Sequence, residues 1–185
     1  MKTNFKKITL VVSAISLMIA GTGKSVGTSG ASELLVMTGA KGVALNGSFV
    51  ATVSGADAIF YNPAGISNLG SSVEAQFSNM DYLADIGMSY AAFASSLGGG
   101  TIGLSFKSFD FGDIPVTTGD DTHGESGKMF SPSFSTLTLG YSKAFSDRIR
   151  FGANAKLVSE GFMQTSAQGL ALDLGVQYAH ASMPL

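Results

Sequence analysis

From Ser71 onward, apolar and polar positions alternate with a period of two, the repeat of a strand whose successive side chains point to opposite faces. In TIGLSFKSF, Ile102, Leu104 and Phe106 share one face, and Thr101, Gly103, Ser105 and Lys107 share the other. TLTLGYSKAF sets Leu137, Leu139 and Tyr141 against Thr136, Thr138, Gly140 and Ser142. RFGANAKLV sets Phe151, Ala153, Ala155 and Leu157 against Gly152, Asn154 and Lys156. GLALDLGVQY opposes Leu170, Leu172, Leu174, Val176 and Tyr178 to Ala171, Asp173, Gly175 and Gln177. SVEAQFS follows the same rule, with Glu74 on its polar face, and DIGMSYAAFA follows it with Phe93 blurring the pattern. Short turns are predicted at residues 95–101 and 145–148, and a longer connection at 159–169, so consecutive strands are expected to be antiparallel neighbours.

The second face is small and polar, rich in Gly, Ser, Ala and Asn, whereas a soluble sheet usually carries many Lys, Glu and Thr there. Apolar residues outward and small polar ones inward is the arrangement of an outer-membrane barrel. The fold expected is therefore all-β: an antiparallel transmembrane β-barrel, present as a partial, open barrel of about six or seven strands. The seventh strand would be a short piece near residues 33–37 or 113–117. Glu74, Lys107, Asn154, Lys156, Asp173 and Gln177 would face the lumen, either pairing across strands or touching a ligand. Aromatics near strand ends, Tyr82, Phe109, Phe111, Phe130, Phe134 and Phe145, would form an interfacial girdle, although aromatics favour any strand.

Composition sharpens this reading. Only 13% of the 185 residues are charged against 45% hydrophobic, about half the charge density of an ordinary soluble domain. A net charge of −2 offers no basic field for nucleic acid. The chain has no cysteine and two histidines, which removes disulfides and thiolate chemistry and leaves a zinc site dependent on carboxylates. Lys2, Lys6 and Lys7 precede the apolar run ITLVVSAISLMIAG in the order of an export signal. Three regions are expected: a signal peptide at 1–27, an intervening segment at 28–70 and barrel strands over 71–185.

No chemistry-bearing motif emerges. Asp113, Asp120, Asp121, His123 and Glu125 cluster in the long stretch 112–128, but their spacing is not that of a calcium loop, and an extended acidic loop is the better reading. GTGKS at 21–25 lacks the full phosphate-loop pattern. No nucleophile elbow is present. An enzyme, a catalytic residue, a metal site and a cofactor are all unexpected.

The stretch GAKGVALNGSFVATVSGADAIFYNPAGISNLG, residues 39–70, resembles the opening segment of the PorV/PorQ family, within the group similar to the long-chain fatty acid transporter of outer membranes. The match is carried by Gly39, Ala40, Gly47, Phe49, Val50, Ala51, Asp57 and Ala58, and by Asn62, Pro63, Ala64 and Gly65. The resemblance implies a barrel of about fourteen strands, of which this chain would be an N-terminal fragment, with residues 28–70 as a short helical or irregular plug-like segment that enters the lumen and Asn62–Gly65 at the handover from plug to first strand. Those four residues read as a capped turn, Asn62 capping and Pro63 opening it, or alternatively as a gate. It further implies an outer-membrane location, contact with outer-membrane lipids, and a role in moving hydrophobic small molecules or in type IX protein secretion with its partner proteins. The alternative from a different class is a secreted soluble β-sandwich acting as an adhesin or structural module.

Overall fold

The alternating stretches form a ladder of long antiparallel strands in the computed structural model, which describes residues 30–179. Residues 1–29 and 180–185, and with them the signal-peptide reading, lie outside the described residues. One sheet has six strands: β1 (Val73–Asp81), β2 (Gly87–Leu97), β3 (Gly100–Asp110), β6 (Ser133–Ala144), β7 (Ile149–Phe162) and β8 (Thr165–Tyr178), in the order β1-β2-β3-β6-β7-β8. A second, two-stranded sheet pairs β4 (Ile114–Pro115) with β5 (Met129–Phe130). Every strand of the large sheet pairs with its chain neighbours apart from the insertion of this ribbon between β3 and β6.

The barrel expectation is corrected here. Both sheets are open: β1 and β8 are the edges of the large sheet and do not pair with one another. Closure is what relieves a membrane-spanning sheet of unpaired backbone groups at hydrocarbon depth. An unclosed sheet of this kind contradicts the transmembrane β-barrel and the outer-membrane location that followed from it. No helix among the described residues is long and apolar enough to cross a membrane. Strand lengths also depart from the expectation. The stretch 159–169, read as a connection because of its Ser, Glu, Gly and Gln content, continues the ladder to Phe162↔Thr165, so β7 and β8 each run fourteen residues. Only Met163 and Gln164 turn the chain, with Met163 at φ 53°. The residue pair Gly98–Gly99, at φ 50° and 103°, makes the equally tight turn between β2 and β3, a two-residue hairpin that needs positive φ at both positions.

The core lies on the small, polar face. Between residues 32 and 67 the chain runs as short helical turns, at Ser32–Leu35, Ala40–Ala44, Gly55–Asp57, Ala58–Tyr61 and Pro63–Ser67. From Gly55 on, these turns lie against that face. Val53, Ala58, Ile59 and Ile66 are fully buried there against Tyr90, Ala92 and Ala94 of β2. Tyr61 stacks between Phe49 and Phe60, with ring centroids 4.9 and 4.7 Å away, and donates its hydroxyl to the Thr38 carbonyl at 2.7 Å. The blurred alternation of DIGMSYAAFA has its explanation in this layer. Met88 and Tyr90 are bulky residues turned inward, while Phe93 points outward opposite Leu104.

What lets an irregular segment come this close is a patch of glycines. Gly103 pairs with Gly140, and Gly152 with Gly175, on the inner face. A Cβ on Gly103 would come 2.8 Å from the Ile59 side chain; one on Gly152 would overlap the Pro63 carbonyl, and one on Gly175 would overlap Asn62 and lie 2.9 Å from the Pro63 ring. Glycine usually weakens a strand. Here it opens the floor on which the Asn62–Gly65 turn sits. Gly152→Ala is therefore expected to lower unfolding stability by roughly 1–3 kcal/mol through overpacking against backbone. Gly169→Ala, where a Cβ meets nothing within 4 Å, is expected to be neutral or slightly stabilising. Urea midpoints of the two variants provide the comparison, and equal midpoints would refute the close-approach reading.

Candidate functional site

The inner-face polar residues meet one another under the N-terminal segment. Lys107 comes from the middle of β3 and is buried. Its Nζ donates to the carbonyls of Glu33 at 2.7 Å and Val36 at 3.3 Å, and lies 4.9 Å above the Phe60 ring and 5.7 Å from that of Phe109. Burial, aided by the nearby Lys156 ammonium, lowers its pKa to about 8, and the Glu33 carboxyl partly opposes this. Glu33 is buried as well. Desolvation is the main cause of a raised carboxyl pKa there, with the neighbouring Glu160 adding to it. Tyr90, buried beside them, has its hydroxyl pushed up to about 12 by burial.

A second group follows along β7 and β8. Lys156 and Asp173 form an ion pair at 2.7 Å. Asn154, fully buried, donates to the Ile59 carbonyl at 2.8 Å and to Asp173 at 3.2 Å. Gln177 donates to the Val53 carbonyl at 2.7 Å. Ser142 donates to the carbonyl of Ala64 at 2.9 Å. Glu74, at the opposite edge in β1, accepts from the backbone N–H of Ala56 at 3.2 Å and of Gly70 at 2.6 Å.

The six residues expected to line a lumen thus share one covered face, and there is no lumen. Four of them, Glu74, Lys107, Asn154 and Gln177, bond to the backbone of the N-terminal segment, and the other two, Lys156 and Asp173, pair with each other beside it. Irregular backbone needs such partners because its own N–H and C=O groups have no ladder to enter. Asn62 performs the same service in the other direction: its side-chain oxygen accepts from Ala64 N–H at 3.2 Å, and its amide donates to Val50 at 3.1 Å and, on β8, to Val176 at 3.3 Å. Pro63 occupies the first position of the 3-10 turn Pro63–Ser67. Gly65 lies within that turn, where a Cβ would overlap the Val53 carbonyl, so closeness rather than a turn end requires the glycine.

Glu33, Tyr90 and Ser142 complete the cluster. Alternation places Ser142 on the polar face without marking it out among its neighbours, while Glu33 precedes the strands by a long stretch and Tyr90 sits in the blurred repeat. Of the aromatics expected as a girdle, Phe111 meets Phe134 edge-on at 4.9 Å and Phe130 meets Phe162 at 5.0 Å, while Tyr82 and Phe145 are exposed. The acidic loop folds on itself, Asp121 accepting from Glu125 and Ser126 N–H at 2.9 and 2.8 Å. These bonds to the carboxylate lower its pKa. Among the described residues no three His, Cys, Asp or Glu side chains converge as a metal site.

Two open grooves flank the segment. One, of about 460 Å³, runs between it and β8 and is walled by Val50, Phe60, Asn62, Lys156, Asp173 and Val176. The other, of about 340 Å³, lies beside β1 at Asp57, Glu74 and Gln76. In the first groove Lys156 and Asp173 pair with each other, and in the second Glu74 has two backbone donors.

No protein family, curated protein or solved structure matches this chain. The resemblance to the PorV/PorQ family therefore gains no support from relatives, and the open sheets contradict the closed barrel it implied. The roles in hydrophobic-compound transport and type IX secretion fall with it.

Lys107 yields a pH prediction. Its pKa is near 8 in the folded protein and near 10.4 in an unfolded chain. Between those values the unfolded state holds the extra proton, so stability rises with pH through that window, by up to about 3 kcal/mol. Below pH 8 both states are protonated and the gain is absent. Urea unfolding from pH 7.5 to about 9.0 checks this, a range over which about nine-tenths of unfolded-chain tyrosine stays protonated. Lys107→Met should lack the upward slope, so that subtracting its profile from the wild-type profile leaves the slope in the difference; parallel profiles would exclude the assignment.

Proposed function

We propose that this chain is a non-enzymatic β-sheet module that works by surface contact, as an adhesin or structural unit, the class of the alternative reading from sequence. Export is suggested by the charged-then-apolar order of residues 1–27. The observation that carries the reading is the outer face of the large sheet. Three registered rows cross it: Ile102, Tyr141, Ala153 and Leu174; Leu104, Leu139, Ala155 and Leu172; and Phe106, Leu137, Leu157 and Leu170. All the large side chains of these rows except Ile102 are exposed. The rows contain no charge. A free-standing domain rarely leaves so broad an apolar surface uncovered unless another molecule meets it.

The inner face supports the same reading from the other side. Several of its polar groups hold the N-terminal segment in place, which supports a structural role for that face. A layer added to the outer face would complete a three-layer stack, with the sheet in the middle, in the manner of sheet packing in sandwiches.

The test uses residues remote from the strand edges. Leu104→Ser combined with Leu139→Ser, opposite one another in the ladder, should reduce retention on an octyl-bearing matrix and binding of an environment-sensitive dye several-fold. The unfolding free energy should stay within about 0.5 kcal/mol, as for surface substitutions generally. Unchanged retention, or global unfolding of the variant, would oppose the contact role.

A further inference from the structure

Two registered rows of the inner face border a small cavity under the N-terminal segment. One row is Tyr90, Lys107 and Thr136; the row beside it is Ser105, Thr138 and Lys156. Leu34 and Phe60 of the segment complete the lining, and the volume is about 10 Å³, room for one particle of about the size of water. All six side chains of the two rows can donate a hydrogen bond, and none is a carboxylate or an amide.

Several of these donors are unspent. The hydroxyls of Tyr90 and Thr136 are buried without a hydrogen-bond partner. Ser105 stands near that of Tyr90, but not at hydrogen-bonding geometry. Lys107, only 3% exposed, spends two of its three N–H groups on the carbonyls of Glu33 and Val36. Charge is unbalanced in the same sense. Lys156 pairs with Asp173, but among the described residues no carboxylate forms an ion pair with Lys107. Its surroundings are two carbonyls, two ring faces and a second ammonium. The Glu33 carboxyl acts on it from a distance and is not part of the cavity lining. Buried charges are ordinarily paired, and buried donors ordinarily bonded.

We propose that this cavity is a binding site for one small monovalent anion of the halide class, chloride in solution, held as the counter-ion of Lys107 by the Tyr90 and Thr136 hydroxyls. A water molecule fits the space, but it brings two hydrogens of its own and no charge. A halide accepts every bond offered and neutralises the ammonium, and a charge-assisted hydrogen bond is stronger than a neutral one. The ion lies where β2, β3, β6 and β7 meet the segment, so its binding fastens the segment to the sheet. Nothing in this depends on the apolar outer face or on the contact role proposed for it.

Crystals grown with bromide as the sole halide test the site directly. An anomalous peak inside the cavity, beside Lys107 and Thr136, is expected. A water without anomalous signal there, an empty cavity, or bromide confined to the protein surface would overturn the proposal. In solution, the thermal midpoint of the whole chain should rise with the logarithm of chloride concentration, as it does for any ligand of the folded state alone. Sodium gluconate at equal ionic strength, whose anion is too large for the cavity, should give no such rise. Thr136→Val, which removes one donor and keeps the branched shape, should need several-fold more chloride for the same shift, and Lys107→Met should show none. Equal midpoints of the wild type in the two salts would overturn the site without recourse to any variant. So would a chloride effect that both substitutions leave unchanged, since chloride would then act at the surface only.

Discussion

The fold depends on one close approach, that of the Pro63–Ala64 backbone to Gly152 near the start of β7 and Gly175 near the end of β8. Two strands give up side chains at these positions and a helical turn takes the space. Because the segment enters there, the sheet's small, polar face becomes its buried face, and its apolar face is left to the outside. Around the contact, Ser142 holds the Ala64 carbonyl, Asn154 that of Ile59 and Gln177 that of Val53. Each is a strand residue reaching across to irregular chain. A net hydrogen bond of this kind contributes only about 1 kcal/mol, but leaving the same carbonyls buried without a partner would cost more. The polar face is thus a fitted seat for the segment.

This inversion shapes the functional reading. In an ordinary two-layer domain the apolar faces meet and the polar faces take solvent. Here the layer beneath the sheet is held by glycine gaps, hydrogen bonds and a compact apolar cluster around Ile59 and Ile66. The surface that would ordinarily form the core, the leucine rows of β3, β6, β7 and β8, remains available. Recognition through those rows follows from the way the segment occupies the opposite face. Lys107 shows the strength of that occupation, since a buried ammonium is tolerated where two carbonyls and the faces of Phe60 and Phe109 surround it.

Much of the sheet was legible in the chain itself. Six strands, their two faces and their antiparallel order all follow from the period of two, because side chains in a strand must alternate. The residues 159–169 were misread since polarity and glycine signal a loop only when no partner strand pairs with them, and β7 and β8 pair to the last residue before their turn. The barrel was the larger error. An apolar outward face and small inward residues describe a barrel wall and an open sheet with a covered polar side equally well; alternation carries no information on closure. Asn62, Pro63, Ala64 and Gly65 stood out in the sequence as a turn, but their true constraint lies in Gly152 and Gly175, more than eighty residues away. Glu33 and Tyr90 could not be found from pattern at all, because their roles depend on which segment lies over the sheet.

The most direct test of this architecture is a nuclear Overhauser measurement between the α-protons of Gly152 and Gly175 and the protons of Pro63 and Ala64. Strong cross-peaks between them are expected, alongside those of the antiparallel ladder. A spectrum with the ladder intact and those contacts missing would contradict the seated segment, and with it the explanation of why the apolar face is left uncovered.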